Sequence, residues 1–265
     1  YAGHENYSLS PDLFDAIIRH PYSSRPTDRL LIGATLKFLV TRSIIIGAGK
    51  VGFEEFEPAI YQISQRADFM MQPIAESTVK YRGIINTRND PLARYNLVRR
   101  FHTICGDSNM SELSIYLKCG IMALFFKMLE QKYIQRSSGN LMVPLSNSVD
   151  AFHRVSRDLT LREELSLMGG TYTSALKTQM QYCELAKTYV QDMHLAPPWT
   201  DVVQKHYTER ELVILMSDCS NKLTLFKSSG GEIPETVSSH LESLVTSLMT
   251  GFNSKKGINN KNENE

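Results

Sequence analysis

From Arg29 to Ile46 apolar residues recur every three to four positions, the repeat that sets them along one side of an α-helix. The run meets Gly47, where a helix end is expected because glycine accepts left-handed torsions. After the turn Gly47 to Gly52 the pattern changes to short alternating stretches rich in Ile, Val, Tyr and Phe. These lie at Ala59 to Arg66, Arg82 to Arg88 and Asn96 to Cys105, and they predict strands. The helical repeat returns from Ser111 to Lys132, where Leu113, Leu117, Ile121, Leu124 and Met128 line one face, with Ser111 or Asn109 placed to cap the start. Ser137, Ser138, Gly139, Asn140 and Pro144 mark a loop.

Beyond that loop the strand signals fade and helices dominate. Leu176, Met180, Cys183, Ala186 and Val190 make one apolar stripe, and Val237, Leu241, Leu244 and Leu248 make another that ends at Gly251. Pro197 and Pro198 separate them from a middle helix. From Ser254 to Glu265 almost nothing is apolar, so burial cannot offset the entropy of ordering and a disordered tail is expected. The order of elements predicts an α+β chain: strands with helices over 1–135, a mostly helical continuation over 136–253, and the tail over 254–265.

Composition narrows the partners more than the fold. At 265 residues, 42% hydrophobic and 22% charged, the chain can bury a sizeable core, which excludes collagen-like, low-complexity and wholly disordered classes. Twenty-nine Lys and Arg against 28 Asp and Glu leave a net charge of +1, so no global field draws nucleic acid or an anionic membrane; any basic site is local. The most apolar window, Leu30 to Ile46, is interrupted by Lys37 and Arg42 and does not reach the ~18 apolar residues of a membrane span. Cys105, Cys119, Cys183 and Cys219 form no C-x-x-C pair, which argues against a zinc knuckle and fits free thiols in a reducing, cytoplasmic setting. The chain opens on Tyr1 rather than Met, with no signal-peptide pattern, and is read as a fragment.

Two spacings carry chemistry. In the extended segment Asn96 to Cys105, Arg100 and His102 project from one face with Val98 and Ile104. A guanidinium and an imidazole among apolar neighbours are costly to desolvate unless a phosphate, carboxylate or metal satisfies them, or unless that face is solvated. At the amino end, His4 and Asn6 also share one side of an extended segment; imidazole is a good metal ligand and an amide a good sugar or phosphate partner, although a loop would serve equally for such a short stretch. Between Lys80 and His102, Lys80, Arg82, Arg88, Arg94, Arg99 and Arg100 face the single acid Asp90, an excess suited to a polyphosphate or a carboxylate. Tyr81, Tyr95 and Phe101 form no RNA-binding motif, which ranks nucleic acid lower. Arg66, on a strand face with Gln62 and Ser64, is another candidate anion contact, or an edge arginine facing water. Gly47 to Gly52 formally satisfies G-x-G-x-x-G, but a helical pattern precedes it and an acidic stretch follows, the reverse of a dinucleotide site.

Taken in order, several motifs closely resemble the Pup ligase and depupylase family of the bacterial Pup-proteasome system. They are Tyr1 through His4-Glu-Asn-Tyr7, Phe38-Leu-Val-Thr-Arg42, Gly47-Ala-Gly-Lys-Val51, Ser64-Gln-Arg66, Gly83-Ile-Ile-Asn-Thr-Arg88, Arg99-Arg-Phe-His102 and Gly106-Asp-Ser-Asn-Met-Ser-Glu112. The resemblance covers roughly Tyr1 to Met193. It implies a glutamine-synthetase-like fold, a curved and mainly antiparallel sheet backed by helices whose concave face holds ATP and Mg2+. It further implies a metal role for His4 and His102, a nucleotide role for Asn6 and Arg100, and phosphate or substrate-carboxylate contacts for Arg66 and Arg88. Pup and pupylated proteins are the implied partners, with no nucleic acid and no membrane.

In this family the ligase joins the terminal glutamate side chain of Pup to a lysine with ATP, and the depupylase hydrolyses that bond or deamidates a terminal glutamine. Arg82 to Arg88 and Tyr116-Leu-Lys118 are nearer the depupylase, whereas Thr41 and Gly106 to Glu112 are nearer the ligase; the balance favours the depupylase. The family's acidic metal ligands and catalytic aspartate are expected upstream of the H-E-N motif, where this chain begins. The family pattern T-R-D-E-P-H-A reads here Thr87, Arg88, Asn89, Asp90, Pro91, Leu92, Ala93. Both departures make reduced or lost activity an open alternative, with a Pup-binding remnant as its form.

Overall fold

The computed structural model describes residues 3–18, 26–52, 60–88, 97–136 and 140–192, all within the first of two units, Tyr1–Thr200. The expected stripe from Val237 to Leu248, the break at Pro197 and Pro198 and the tail over 254–265 lie outside the described residues, as do Asp90 and Arg94.

Its centre is a four-stranded sheet made of β1 (Gly3–Leu9), β4 (Gln72–Ala75), β5 (Gly83–Asn86) and β6 (Arg99–Gly106), in the order β1-β6-β5-β4. β1 and β5 both run antiparallel to β6, and β4 joins β5 in parallel at the edge. The sheet is thus mainly antiparallel and the chain α+β, as expected. Two smaller ribbons stand apart: β2 (Lys50–Gly52) with β3 (Ile60–Gln62), and β7 (Leu165–Ser166) with β8 (Tyr172–Thr173). The strands foreseen over Ala59 to Arg66 and Arg82 to Arg88 are shorter than their patterns, and β2 and β4 escaped notice because neither is long enough to alternate. Val98 precedes β6 rather than lying within it.

Helices cover one face of the sheet. They are α1 (Pro11–Ile18), α2 (Pro26–Thr41), the short α3 (Ser43–Ile46), α4 (Glu112–Glu130), α5 (Tyr133–Arg136), α6 (Ser148–Arg157) and α7 (Ala175–Asp192). Phe126 of α4 meets Phe101 of β6 edge-on at 4.9 Å and Tyr7 of β1 at 5.7 Å. Behind them Phe38 of α2 stacks on Phe125 at 4.0 Å, and Tyr182 of α7 closes the cluster edge-on at 5.0 Å from Phe38. Such aromatic contacts add to the burial of rings that already carry much of the apolar area.

The helices depart from the expected stripes for identifiable reasons. α2 is buried on all sides from Ile32 to Thr41, so it is a central helix rather than a surface one with a single apolar face. Lys37 lies within it, 1% exposed, its Nζ donating to the carbonyls of Asn140 and Val143. On α4 the buried apolar residues are Met122, Phe125, Phe126, Met128 and Leu129, while Leu117, Ile121 and Leu124 are half-buried. On α7 they are Ala175, Thr178, Gln179, Tyr182 and Tyr189, beside the expected stripe. Ser111 does occupy the N-cap of α4 but its side chain makes no capping bond, and the Asn109 amide donates instead to the Ile46 carbonyl. α6 carries its own start signal, Asn147, whose side chain accepts from the Val149 and Asp150 amides at 3.1 Å each.

Gly47 ends α3 with φ −62°, not in the left-handed region. Glycine is needed there for room: a Cβ would stand 2.5 Å from both Ile63 Cγ2 and the Ile63 carbonyl oxygen. The following Gly-rich turn lies between a helix and a strand, with the Ala48 amide donating to the buried Asp107 carboxylate at 2.8 Å. Asp107 also receives Ser64 Oγ and the Gln65 amide, while its carbonyl accepts from Lys118 Nζ, so it ties three separate segments to the end of β6.

Candidate functional site

The register of the central sheet builds the site. In the β1–β6 ladder Asn6 lies opposite His102 and Ser8 opposite Arg100, and in the β5–β6 ladder Asn86 lies opposite His102. Side chains of directly paired residues project from the same face, and successive residues alternate. His4 and Asn6 of β1, Asn86 of β5, and Arg100 and His102 of β6 therefore share the face turned away from Phe126. Glu5, Tyr7, Phe101, Thr103 and Cys105 project towards the helices.

These side chains touch. His4 Nδ1 lies 3.1 Å from His102 Nε2, with the rings stacked at 5.2 Å and inclined by 28°. Arg100 Nη1 donates to Asn6 Oδ1 at 2.6 Å. His102 Nδ1 lies 3.2 Å from Asn86 Oδ1, which also accepts the Arg88 amide at 2.9 Å, while Asn86 Nδ2 donates to the Glu76 carbonyl at 2.9 Å. The two pairs separated by two residues in sequence, His4 with Asn6 and Arg100 with His102, are joined into one cluster. His4 and Asn6 are exposed, Arg100 is half-buried and His102 is 5% exposed, so the face opens to solvent at β1 and closes towards β5.

The other two arginines stand differently. The main chain of Arg88 joins the cluster through its amide and through a long contact, 3.5 Å, from Arg100 Nη2 to its carbonyl. Its side chain is exposed and lines a cleft of about 450 Å³ with Glu76, Ser77, Thr78 and Val79. Arg66 is 8% exposed and donates through Nε to the Ile104 carbonyl at 3.1 Å. Its guanidinium lies 5.6 Å from the Phe69 ring centre, and that ring also has Lys50 Nζ at 5.1 Å and the Arg82 guanidinium at 5.9 Å. Burial, with Arg82 nearby, pulls the Arg66 pKa down. Gln62 and Ser64, expected beside it, are engaged by Asp68 and Asp107. Arg99 leaves the cluster altogether: it turns to the opposite face, over the Phe14 ring and 3.3 Å from Asp15.

Asn86 was not singled out from sequence, although the pattern Gly83 to Asn86 contains it. The missing signal is register, because only the β5–β6 pairing brings it against His102. Glu5 separates in the other sense. Placed between His4 and Asn6, it faces the helices and forms a bidentate pair with Arg42, at 3.0 and 2.6 Å, with Tyr7 Oη donating to it at 2.5 Å. Burial works against the Arg42 charge, but the adjoining Glu5 carboxylate outweighs it and raises the guanidinium pKa. Burial, reinforced by Glu5, likewise raises the Tyr7 phenol pKa.

The two imidazole nitrogens, 3.1 Å apart, are close enough to serve as neighbouring ligands of one divalent cation. They do not complete a site: no group of three or more His, Cys, Asp or Glu among the described residues is placed to hold a metal. Mg2+ takes oxygen ligands by preference, so phosphate and carboxylate oxygens would have to supply the remainder. Among the described residues, no helix is long and apolar enough to cross a membrane.

The sequence and the fold have counterparts among known proteins. Residues 1–225 match the family described as Pup-ligase protein. A Pup–protein ligase of Kineococcus radiotolerans is 37% identical over 198 residues, which is 75% of this chain and 40% of that protein. A depupylase of Acidothermus cellulolyticus is 37% identical over 194 residues, 72% of this chain and 35% of that protein. Among solved structures, the Pup ligase PafA in complex with ADP superposes with a TM-score of 0.57 at 33% identity, over 72% of this chain and 38% of that one. The complex between Pup and its ligase PafA gives a TM-score of 0.57 at 34% identity, over 72% of this chain and 35% of that one. The chain spans less than half the length of the curated relatives it matches.

Proposed function

The chain belongs to the Pup-ligase family, and from that premise we propose that residues 1–135 are the central part of an ATP- and Mg2+-dependent domain acting on the bonds of Pup. One observation carries the reading: two same-face pairs from strands about a hundred residues apart in sequence converge, with His4 on His102 and Asn6 on Arg100. A scaffold has no need for two imidazoles and a guanidinium on one sheet face, whereas a nucleotide triphosphate with its cation does.

In this reading Arg100 offers its guanidinium to phosphate oxygens, and Asn6, which already holds Nη1, fixes the direction of that fork. His4 and His102 present the two nitrogens that would face the cation. Bound Mg2+ would neutralise phosphate charge and polarise the phosphoryl oxygen. Arg88 reaches from the rim of the neighbouring cleft towards phosphate or a substrate carboxylate, and Arg66, held by the Ile104 carbonyl of β6, offers a second, more buried guanidinium. None of these groups is assigned as a catalytic acid or base.

The substrate is proposed to be the isopeptide bond between Pup and a lysine, or the amide of a terminal glutamine of Pup, cleaved by hydrolysis. The residues Arg82 to Arg88 and Tyr116 to Lys118 support that direction. Thr41 and Gly106 to Glu112 support the ligase as second reading, and the changes at Asn89, Asp90 and Leu92 support a third, a remnant that binds Pup without turnover.

Titration of the full chain with a fluorescent ATP analogue and Mg2+ tests the site. Arg100→Ala with His102→Ala is expected to weaken binding by at least tenfold, and an unchanged affinity would reject it. Three incubations then separate the directions: release of Pup from a conjugate marks the depupylase, ATP-dependent conjugation marks the ligase, and Pup binding with neither marks the remnant.

A further inference from the structure

The orientation of the Asn86 amide is fixed without reference to any histidine. Asn86 is 1% exposed, and two main-chain groups decide which end of its amide is which. The Glu76 carbonyl, 2.9 Å from one end, can only accept, so that end is Nδ2. The Arg88 amide, 2.9 Å from the other end, can only donate, so that end is Oδ1. Turning the amide over would set donor against donor and acceptor against acceptor at a buried position, losing both bonds and stranding both main-chain groups.

It follows that the atom facing His102 Nδ1 at 3.2 Å is an acceptor. We infer that Asn86 is a positioning residue: it holds the proton of neutral His102 on Nδ1 and leaves the Nε2 lone pair aimed at His4. The consequence at the other ring nitrogen is direct, because Nε2 lies 3.1 Å from His4 Nδ1. In the absence of a cation His4 Nδ1–H donates into that lone pair. When both lone pairs are free they converge on one point, the arrangement a shared cation requires. A second residue that fixes the tautomer of a ligating histidine through its other nitrogen is a general device of metal sites. Here the acceptor is an uncharged amide, set by the strand pairing that puts Asn86 directly opposite His102.

The tautomer is a property of the folded chain. Its connection to nucleotide and cation rests on the site proposed above, and the two fail separately. Long-range proton–nitrogen correlation NMR on the full chain labelled with 15N-histidine, with His102 assigned through His102→Gln, reads the protonated nitrogen directly and needs no variant at position 86. A protonated Nδ1 and an unprotonated Nε2 are expected; the reverse overturns the inference. Asn86→Leu removes the acceptor and is expected to move His102 towards the Nε2–H form, while Asn86→Asp, which keeps an oxygen at that place, holds Nδ1–H. If Asn86→Leu does not fold, as judged by circular dichroism, the wild-type and Asn86→Asp spectra decide. An unchanged tautomer in folded Asn86→Leu overturns the positioning role. Affinity for Mg2+ with the fluorescent nucleotide is then expected to fall about 10- to 100-fold in Asn86→Leu. A shifted tautomer with unchanged affinity upholds the role of Asn86 and rejects the site reading instead.

Discussion

Removing the Glu5 carboxylate tests whether the middle residue of the His4-Glu5-Asn6 motif is scaffold rather than site. Arg42 is wholly buried and Glu5 is 6% exposed; two charge-assisted bonds of 3.0 and 2.6 Å join them. Glu5→Gln keeps the shape but replaces one oxygen with an NH2 group, which meets the Arg42 fork donor to donor. The guanidinium is then left in the interior without a counter-charge, a situation that costs roughly 3–5 kcal/mol. Against a total of roughly 5–15 kcal/mol for a folded domain this is a large share. At about 2–4 °C per kcal/mol for a chain of this size, the melting temperature should drop on the order of 10 °C.

Arg42→Met strands the carboxylate instead and should cost a similar amount. The double variant Glu5→Gln with Arg42→Met strands no charge, so its loss should fall well below the sum of the two single losses. Urea unfolding of the wild type, both single variants and the double variant gives the cycle. Single losses below about 1 kcal/mol, or strictly additive losses, would refute the assignment of this pair as a buried, mutually dependent ion pair.

Two further outcomes follow from neighbouring geometry. In Gly106→Ala the new Cβ would lie 1.9 Å from Glu5 Oε1, an oxygen held in place by Arg42, so urea unfolding should show a loss like that of Glu5→Gln and little additional loss when the two are combined; full additivity would contradict it. Burial lowers the Lys37 pKa from 10.5 to about 8, so between these values the unfolded chain binds the proton more readily than the folded one. The stability difference between wild type and Lys37→Met should therefore rise as pH climbs through that window, by up to roughly 3 kcal/mol, and a flat difference would exclude the shift. Comparing with the variant removes the opposing contribution of buried Tyr182, whose raised pKa lowers stability at high pH in both proteins.

How much of this was legible in sequence depends on the range of the interaction that decided it. The face shared by Arg100 and His102, and the one shared by His4 and Asn6, follow from strand alternation alone, and both were found. That the two faces are one required the β1–β6 register, which composition does not carry but the ordered motifs of the family imply. Asn86 stayed hidden because its role depends on the β5–β6 register. The stripes expected on α4 and α7 were displaced for a related reason. Helical spacing names a period, but the buried phase was set by large rings, Phe125, Phe126, Tyr182 and Tyr189, meeting neighbours distant in sequence. At Gly47 the element boundary was right and its cause was not, because the glycine gives room to Ile63 rather than a left-handed torsion.

The motifs that mark the family consequently divide by the side of the sheet on which they fall. His4, Asn6, Arg100 and His102 face the proposed site, whereas Glu5 and Arg42 secure β1 against the helices behind it. Asp107 ties Ser64, Gln65, Ala48 and Lys118 to the end of β6. A motif match therefore joins two kinds of residue that respond differently to substitution. Changes on the helix side should lower stability and weaken binding only as far as β1 or β6 shifts. Changes at His4 and Asn6 on the open side should weaken binding with a smaller loss of stability, because both side chains are exposed. Asn86 belongs to both groups: it is buried like the scaffold, yet its acceptor oxygen points at a ring of the site. Stability and tautomer are therefore the two measurements that distinguish its contribution from that of its neighbours.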